Sequence, residues 1–443
     1  MGEPEVYVSL DIGSTSVKCI IGEVSDEAVH IIGVGNAKST GIRKGSIVDI
    51  DATVQSIKRA VDQAERMIGM SIHKVILGIP AAHVMLQDTK GVVAVVKNDE
   101  NREITSDDVN RVLDAAQMMS LSPDREHINL VPRYYTVDSV SEIKDPRGML
   151  GIRLEVDATM ITTSKTVLHN ILRCVEKAGL DIQEIYLQPL ASGTFALTKD
   201  ERNRGTTLID IGGETTTIAV FKDDQLLHAS VIPVGGENIT KDLSLVLRTS
   251  TEQAEKIKLE YGHAYFNEAS DNEVFDVPVI GADAKEQFSQ RYISEIISMR
   301  LEELFELILD EFYRQNLSGL PGGVVLTGGV AKLEGIAQLV RDCLQTRVRI
   351  AAPQYIGVRD PEYTSAVNLI RYAHADNQFY NKYEGDFNQP SNDMMLGTAQ
   401  PSHEQEQMEY QQSAPRDDYE ETNHQPKEKF SDKVKKIFKG ILD

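Results

Sequence analysis

Only three cysteines, Cys19, Cys174 and Cys343, occur in 443 residues, far apart and mostly in apolar runs. They have no metal-ligand spacing and read as buried, reduced thiols, which places the chain in a cytosolic compartment. Long apolar runs are missing as well: no segment approaches the ~20 residues needed to cross a bilayer. The acidic start Met1-Gly2-Glu3-Pro4-Glu5 offers no apolar signal stretch, and Val6 stands where a myristoylation motif would want Ser or Thr. Basic residues are in deficit, 46 Lys and Arg against 68 Asp and Glu, and the net charge of −22 argues against general nucleic-acid binding. What is present is a 41% hydrophobic content, ample for the cores of roughly two to four domains.

One short pattern occurs twice. Leu10-Asp11-Ile12-Gly13-Ser14-Thr15-Ser16 and Ile209-Asp210-Ile211-Gly212-Gly213-Glu214-Thr215 are each flanked by residues that favour strands. In each copy an apolar strand brings a carboxylate to its end. A glycine-containing turn follows, whose exposed backbone N–H groups can cradle phosphate oxygens, with Ser and Thr hydroxyls as added donors. Either copy alone reads as an ordinary hairpin. Two facing each other could hold a polyphosphate from both sides, with Asp11 and Asp210 left to orient a hydrated magnesium ion.

The duplication extends beyond the turns. Strand-like runs at Val6 to Leu10, Val17 to Ile21 and Val29 to Val34 precede a helix from about Ala52 to Met67 and a buried strand at Lys74 to Pro80. After Asn203 the order returns, with strands at Thr207 to Ile209, Thr217 to Phe221 and Leu226 to Val231, then a helical region from Asn238. The fold class is therefore mixed α/β. About 80 residues of the first half have no counterpart in the second. They predict strands at Gly91 to Val96, Ile128 to Val140 and Ile152 to Ile161, and a helix capped at Thr105 that runs to about Met119. This inserted α/β subdomain contains no catalytic constellation and reads as a docking surface. Between Gly236 and about Leu317 the second half is mostly helical, with one short strand at Val274 to Ile280 and a helix from about Ala284 to Gln315. A buried strand at Gly323 to Thr327 then ends in Gly328-Gly329, where a flat ligand such as adenine and ribose could approach the backbone, before a helix from about Leu333 to Leu344.

This set of turns resembles the actin and sugar-kinase superfamily. Its parts are a first phosphate loop at Asp11, a connecting segment at Gln188-Pro189-Leu190-Ala191-Ser192-Gly193, a second phosphate loop at Asp210 and an adenosine loop at Gly328. The resemblance is stronger to the bacterial cell-division FtsA family, over residues 5 to 375 and at the extreme carboxyl terminus. It implies a duplicated ribonuclease-H-like fold, two lobes around an ATP cleft. The expected segments are 1–84 and 165–203 (first lobe), 85–164 (insertion), 204–235 and 318–375 (second lobe) and 236–317 (helical subdomain). By the same resemblance Gly13, Ser14, Thr15, Ser16 and Lys18 meet the β- and γ-phosphates, with Gly212, Gly213, Glu214 and Thr215 opposite. Gly235, Glu255, Lys258, Gly328 and Gly329 bound the nucleoside, with Glu255 and Lys258 on the ribose-contacting helix. Gln188 holds the residue position that orients the attacking water. An amide orients water but is a poor base, so the implied ATPase is weak and the protein is chiefly an ATP-dependent scaffold.

From residue 376 to 426 the chain carries 11 Asp or Glu against only Lys382 and Arg416, and is rich in Gln, Asn, Ser and Pro. Such a stretch cannot bury enough apolar surface to fold and reads as a disordered acidic tether, reaching on the order of 40 Å as a coil. Residues 427–443 are its opposite. Phe430, Val434, Ile437, Phe438, Ile441 and Leu442 fall on one helical face, and six lysines, Lys435, Lys436 and Lys439 among them, occupy much of the remainder. This is the pattern of an interfacial helix for an anionic membrane. The family resemblance implies an actin-like filament of this chain at the cytoplasmic face of the cell membrane, at the division site. It also implies that the protein tethers FtsZ through that protein's carboxyl-terminal peptide and recruits later division membrane proteins. Arg291 and Arg300 are the candidates for the peptide's acidic residues. The alternatives are an actin-fold ATPase of pilus assembly and a sugar or acid kinase-like phosphotransferase.

Overall fold

The computed structural model describes residues 4–25, 28–95, 102–118, 120–281, 285–317 and 320–380. The acidic tether beyond residue 380 and the terminal amphipathic segment, with Phe430, Val434, Lys435, Lys436, Ile437, Phe438, Lys439, Ile441 and Leu442, lie outside the described residues.

Two five-stranded sheets share one topology. In the first, strands Glu5–Ile12, Ser16–Ser25 and Ala28–Lys38 form an antiparallel meander, and Lys74–Ile79 and then Asp181–Leu187 add in parallel beside Glu5–Ile12. In the second, Thr206–Ile211, Thr216–Lys222 and Gln225–Ile232 form the meander, and Gly323–Thr327 and then Val348–Ile350 add in parallel. Both sheets therefore run fifth, fourth, first, second, third, and the duplication expected from the turns extends to the whole sheet. The continuous burial of Cys19, Ile20 and Ile21 and of Val75, Ile76 and Leu77, with alternate residues in two different core clusters, is what a strand covered on both faces requires.

The helices follow from their patterns. Ile50–Ile68 starts at Asp49, whose side chain accepts from the Ala52 N–H at 3.0 Å, and stops at Gly69 in the left-handed region (φ 71°). It buries Val54, Ile57, Ala60, Val61 and Ala64 against the first sheet at helical spacing. Two other helices are exchanged between lobes. Gln188–Ala196 leaves the first lobe's last strand and packs against the second sheet, where Gly193 makes room for the Phe221 ring. Thr364–Tyr380 follows the second lobe but lies on the first sheet, with Leu369 and Ile370 over Gly78 and Gly22. One apolar core consequently runs through both lobes, joining Leu10, Leu77 and Leu187 to Leu208, Phe221 and Val325.

The insertion is a four-stranded antiparallel sheet in the order Val140–Ile143, Arg125–Val137, Arg153–Ser164, Met85–Ala94, covered by the helix Ser106–Gln117. Its own core includes Val109, Val112, Tyr135, Leu154 and Val156.

Boundaries differ from expectation in several elements. The strand foreseen from Ile128 to Val140 breaks at Asp138, in the left-handed region (φ 53°), into two paired strands. The long helix of the second half begins at Gln290 rather than near Ala284. Lys285–Ser289 instead pairs with Val274–Pro278, so a tertiary partner overrode helix propensity there. The last helix continues to Tyr380, past residue 375 where the tether was expected to start, because Leu369, Ile370 and Ala373 bury against the first sheet.

Candidate functional site

The two glycine turns are copies of one another in geometry. The Gly13 N–H donates to the Ser16 carbonyl at 3.0 Å, and the Gly212 N–H to the Thr215 carbonyl at 2.9 Å. Gly13 and Gly212 thus close their own turns. Among the described residues the N–H groups of Ser14, Thr15, Gly213 and Glu214 take no backbone partner. The turns also touch: a side chain on Gly213 would overlap Thr15. This is the opposed pair that the sequence pattern called for, brought together by the shared core beneath it.

Below the turns, hairpin pairing sets Asp11 opposite Lys18 and Asp210 opposite Thr217, at matching positions of the two sheets. Asp11 is buried. Its Oδ1 accepts from Gln188 Nε2 at 2.6 Å and its Oδ2 lies 3.9 Å from Lys18 Nζ. Gln188 can reach it because Asp11 pairs in parallel with Gly78, which has no side chain; a Cβ there would stand 2.8 Å from Gln188 Cγ. Burial pushes the Asp11 carboxyl up, against the pull of Lys18 and Gln188. Burial, and next the Asp11 charge, push Asp210 from 3.8 up to about 6, with Lys18 opposing. Two desolvated carboxylates are thus held within reach of each other's fields, with Lys18 the nearby cation that opposes both shifts.

The residues expected to bound the nucleoside come from elements further apart. The first N–H groups of helix Gly236–Val246 donate to the second turn: Gly236 to the Gly212 carbonyl at 2.9 Å and Glu237 to the Gly213 carbonyl at 2.7 Å. Gly235 has to be glycine because a Cβ would stand 2.6 Å from both of those carbonyl oxygens. On the next helix, Thr251–Tyr261, the buried Lys258 donates to the Gly236 carbonyl at 3.1 Å, to Thr240 Oγ1 at 2.9 Å and to Glu255 Oε2 at 2.7 Å. Glu255 also accepts from Thr240. Gly328, in the left-handed region (φ 88°), leaves Asp210 Oδ1 the space a side chain would fill, and Gly329 faces open space. Gly235 and Gly328 therefore pack directly against the second turn and Asp210, while Lys258 spends its ammonium on Gly236, Thr240 and Glu255 behind the start of helix Gly236–Val246.

Two features were not foreseen. Glu214 does not point its carboxylate at the cleft unengaged. Its Oε1 accepts from Arg43 Nη1 at 3.1 Å and its Oε2 from the Lys44 N–H at 2.5 Å, while the Gly45 N–H donates to Ser14 Oγ at 3.0 Å. The tight turn around Arg43-Lys44-Gly45 thus clips one glycine turn to the other. Its only sequence signal was a basic dipeptide before glycine. In the helical subdomain Arg300 spends its guanidinium on Asp242 (2.6 and 3.0 Å) and Glu303 (2.5 Å), whereas Arg291 lies 3.7 Å from the exposed Asp271.

Comparison with known proteins agrees with this fold. A model of the SHS2 domain inserted in FtsA matches residues 81–162, and a model of the cell division protein FtsA matches residues 207–368. The chain is 51% identical over 373 residues to the cell division protein FtsA of Bacillus subtilis (strain 168), covering 84% of each chain. This chain belongs to the FtsA family of bacterial cell-division proteins. Among solved structures, the type IV pilus biogenesis complex PilM-PilN is similar at 19% identity and a TM-score of 0.56, over 83% of this chain and 98% of that one. MreB5 of Spiroplasma citri bound to ADP is similar at 15% identity and a TM-score of 0.52, over 85% and 99%. The fold is the actin-like one, two related lobes around a cleft, with the FtsA-family insertion in the first lobe. No helix among the described residues is long and apolar enough to cross a membrane.

Proposed function

We propose that this FtsA-family protein binds ATP with magnesium between its lobes, polymerises through that closed form, and carries FtsZ filaments on the cytoplasmic face of the cell membrane. The observation that carries the nucleotide reading is the contact of Gly213 with Thr15 above the desolvated Asp11 and Asp210. The residues fit the ligand. Four unpartnered N–H groups at the turns suit phosphate oxygens, and the open face at Gly329 suits a flat base. Among the described residues no group of three or more His, Cys, Asp or Glu is placed to hold a metal ion, so magnesium would be held by Asp11 and Asp210 through water and by the phosphates themselves. Bound magnesium would offset the phosphate charge.

Gln188 is held by Asp11 through its amide N–H, which leaves its carbonyl oxygen to accept from a water. That arrangement orients water without removing a proton, so turnover is slow and times the polymer rather than driving chemistry. The basic amphipathic sequence at residues 427–443 supplies the membrane contact. Its lysines are each worth roughly 1 kcal/mol near an anionic surface, and a row of subunits multiplies weak single attachments. The FtsZ peptide and the later division proteins follow from family membership, with the helical subdomain around Arg291 and Arg300 and the inserted subdomain as their respective surfaces.

Titration of the protein with an ATP analogue tests the central reading. Affinity should fall at least about tenfold when magnesium is removed; equal affinity with and without the metal refutes the proposed role of Asp11 and Asp210. Sedimentation with vesicles tests the membrane reading. Binding should need anionic lipid, weaken with salt and weaken on Phe438→Glu, and indifference to all three excludes it.

A further inference from the structure

On the flank of the interlobe junction lies a cavity of about 240 Å³ that the nucleotide reading does not use. It is bounded by the end of helix Gln188–Ala196, by Val348–Ile350 with the segment to Tyr355, and by the first half of the last helix. Two guanidinium groups line it. Arg349 is partly committed, with Nε and Nη2 on Glu201 at 2.7 and 2.6 Å and Nη2 also on the Ala196 carbonyl. Arg371 is different: it stacks on the Phe195 ring at 4.3 Å and, among the described residues, has no hydrogen bond or ion pair. It is half-buried on a helix in a protein with a large excess of carboxylates. Pro353, Ile350 and Tyr355 complete an apolar wall beside it.

We propose that this cavity is the docking site for the start of the protein's own acidic tether, the segment Tyr383-Glu384-Gly385-Asp386-Phe387. Three observations select this occupant. Glu384 and Asp386 are the first acidic residues beyond the last helix, and Tyr383 and Phe387 flank them with rings suited to the wall at Phe195, Ile350 and Pro353. The geometry fits. Arg371 lies nine residues before Tyr380, about 14 Å at 1.5 Å per helical residue, and a returning extended chain covers that in four or five residues. The energetics fit as well, because so short a linker gives an effective concentration in the millimolar range, so contacts too weak for a free peptide suffice. Docking holds the root of the tether against the core and shortens its reach. Release lengthens it.

Disulfide trapping in the full chain tests this. The native cysteines Cys19, Cys174 and Cys343 are buried, so a reporter pair can be introduced as Gln354→Cys with Asn388→Cys. An intramolecular crosslink should form readily. It should slow about fivefold on adding Arg371→Glu, and by a similar factor in about 0.5 M salt. Combining Glu384→Lys with Asp386→Lys, which leaves the core untouched, should slow trapping equally, and joining these to Arg371→Glu should recover most of the rate. Trapping insensitive to charge reversal on both sides, or crosslinks that form only between chains, overturns the proposal.

Discussion

Replacing Asp210 by Asn should make the nucleotide-free protein more stable at neutral pH while weakening its grip on magnesium and ATP. The carboxyl of Asp210 sits against Gly328 and near Asp11, and burial with that neighbouring charge moves it from 3.8 to about 6. At pH 7.5 it is ionised in both the folded and unfolded states, and keeping it ionised in the cleft costs on the order of 3 kcal/mol. The sign follows from proton binding. The folded state holds the proton more tightly, so this group's favourable contribution is complete below pH 3.8 and is lost as pH rises through 6. Asparagine has nearly the same shape and no charge. It should remove most of that loss, raising the melting temperature by several degrees at pH 7.5 and by much less at pH 4.5. Thermal melts of both proteins without nucleotide at these two pH values provide the assay. Adding magnesium and ATP in hundredfold excess over the dissociation constant should stabilise the wild type by about 2.7 kcal/mol and the variant by less. The reasoning fails if Asp210→Asn melts below the wild type at pH 7.5, or if the difference between the two is the same at both pH values.

Three further outcomes follow from other contacts. Gly213→Val would drive a side chain into Thr15 and part the two turns, so ATP affinity measured by calorimetry should fall at least about tenfold while circular dichroism is retained. Gln188→Ala removes the water-orienting amide, so single-turnover hydrolysis should slow about tenfold or more with ATP affinity within a few-fold of wild type; equal losses of both would make Gln188 a packing residue. In the inserted subdomain the buried Asp108 accepts from Arg102 at 2.6 and 2.7 Å, from the Thr105 N–H at 2.9 Å and from Arg111. These partners outweigh its burial and hold it far below the usual carboxylate range. Its stabilising effect is present above about pH 4 and is lost as pH falls, and Asp108→Asn should destabilise the subdomain by about 3 kcal/mol at pH 7, read as early hydrogen exchange there, with nucleotide binding intact.

Much of the fold was legible because it rests on local signals. The alternation and turn glycines around Asp11 and Asp210 mark both hairpins, and the spacing of Val54, Ile57, Val61 and Ala64 marks the first helix. Short elements held by distant partners were not legible. Lys285–Ser289 is a strand only because Val274–Pro278 lies beside it, and Val348–Ile350 is three residues long, too short for any period to show. The site divides in the same way. Its turns could be read, but the Arg43-Lys44-Gly45 clip has no pattern of its own and acquires its role only when Glu214, about 170 residues later, is folded against it.

The amino-acid order by itself determined the duplication, the two Asp-x-Gly turns, the inserted block and the contrast between an acidic tether and a basic amphipathic end, since each depends on neighbours within a few residues. Tertiary structure alone decided that the two turns meet, that Gln188 reaches Asp11 across the gap left by Gly78, and that burial with the Asp11 charge pushes Asp210 up to about 6. Those facts depend on two helices being exchanged between lobes and on charges desolvated by a shared core. Contact and solvation are properties of groups brought together from opposite ends of the chain, and no local pattern encodes them.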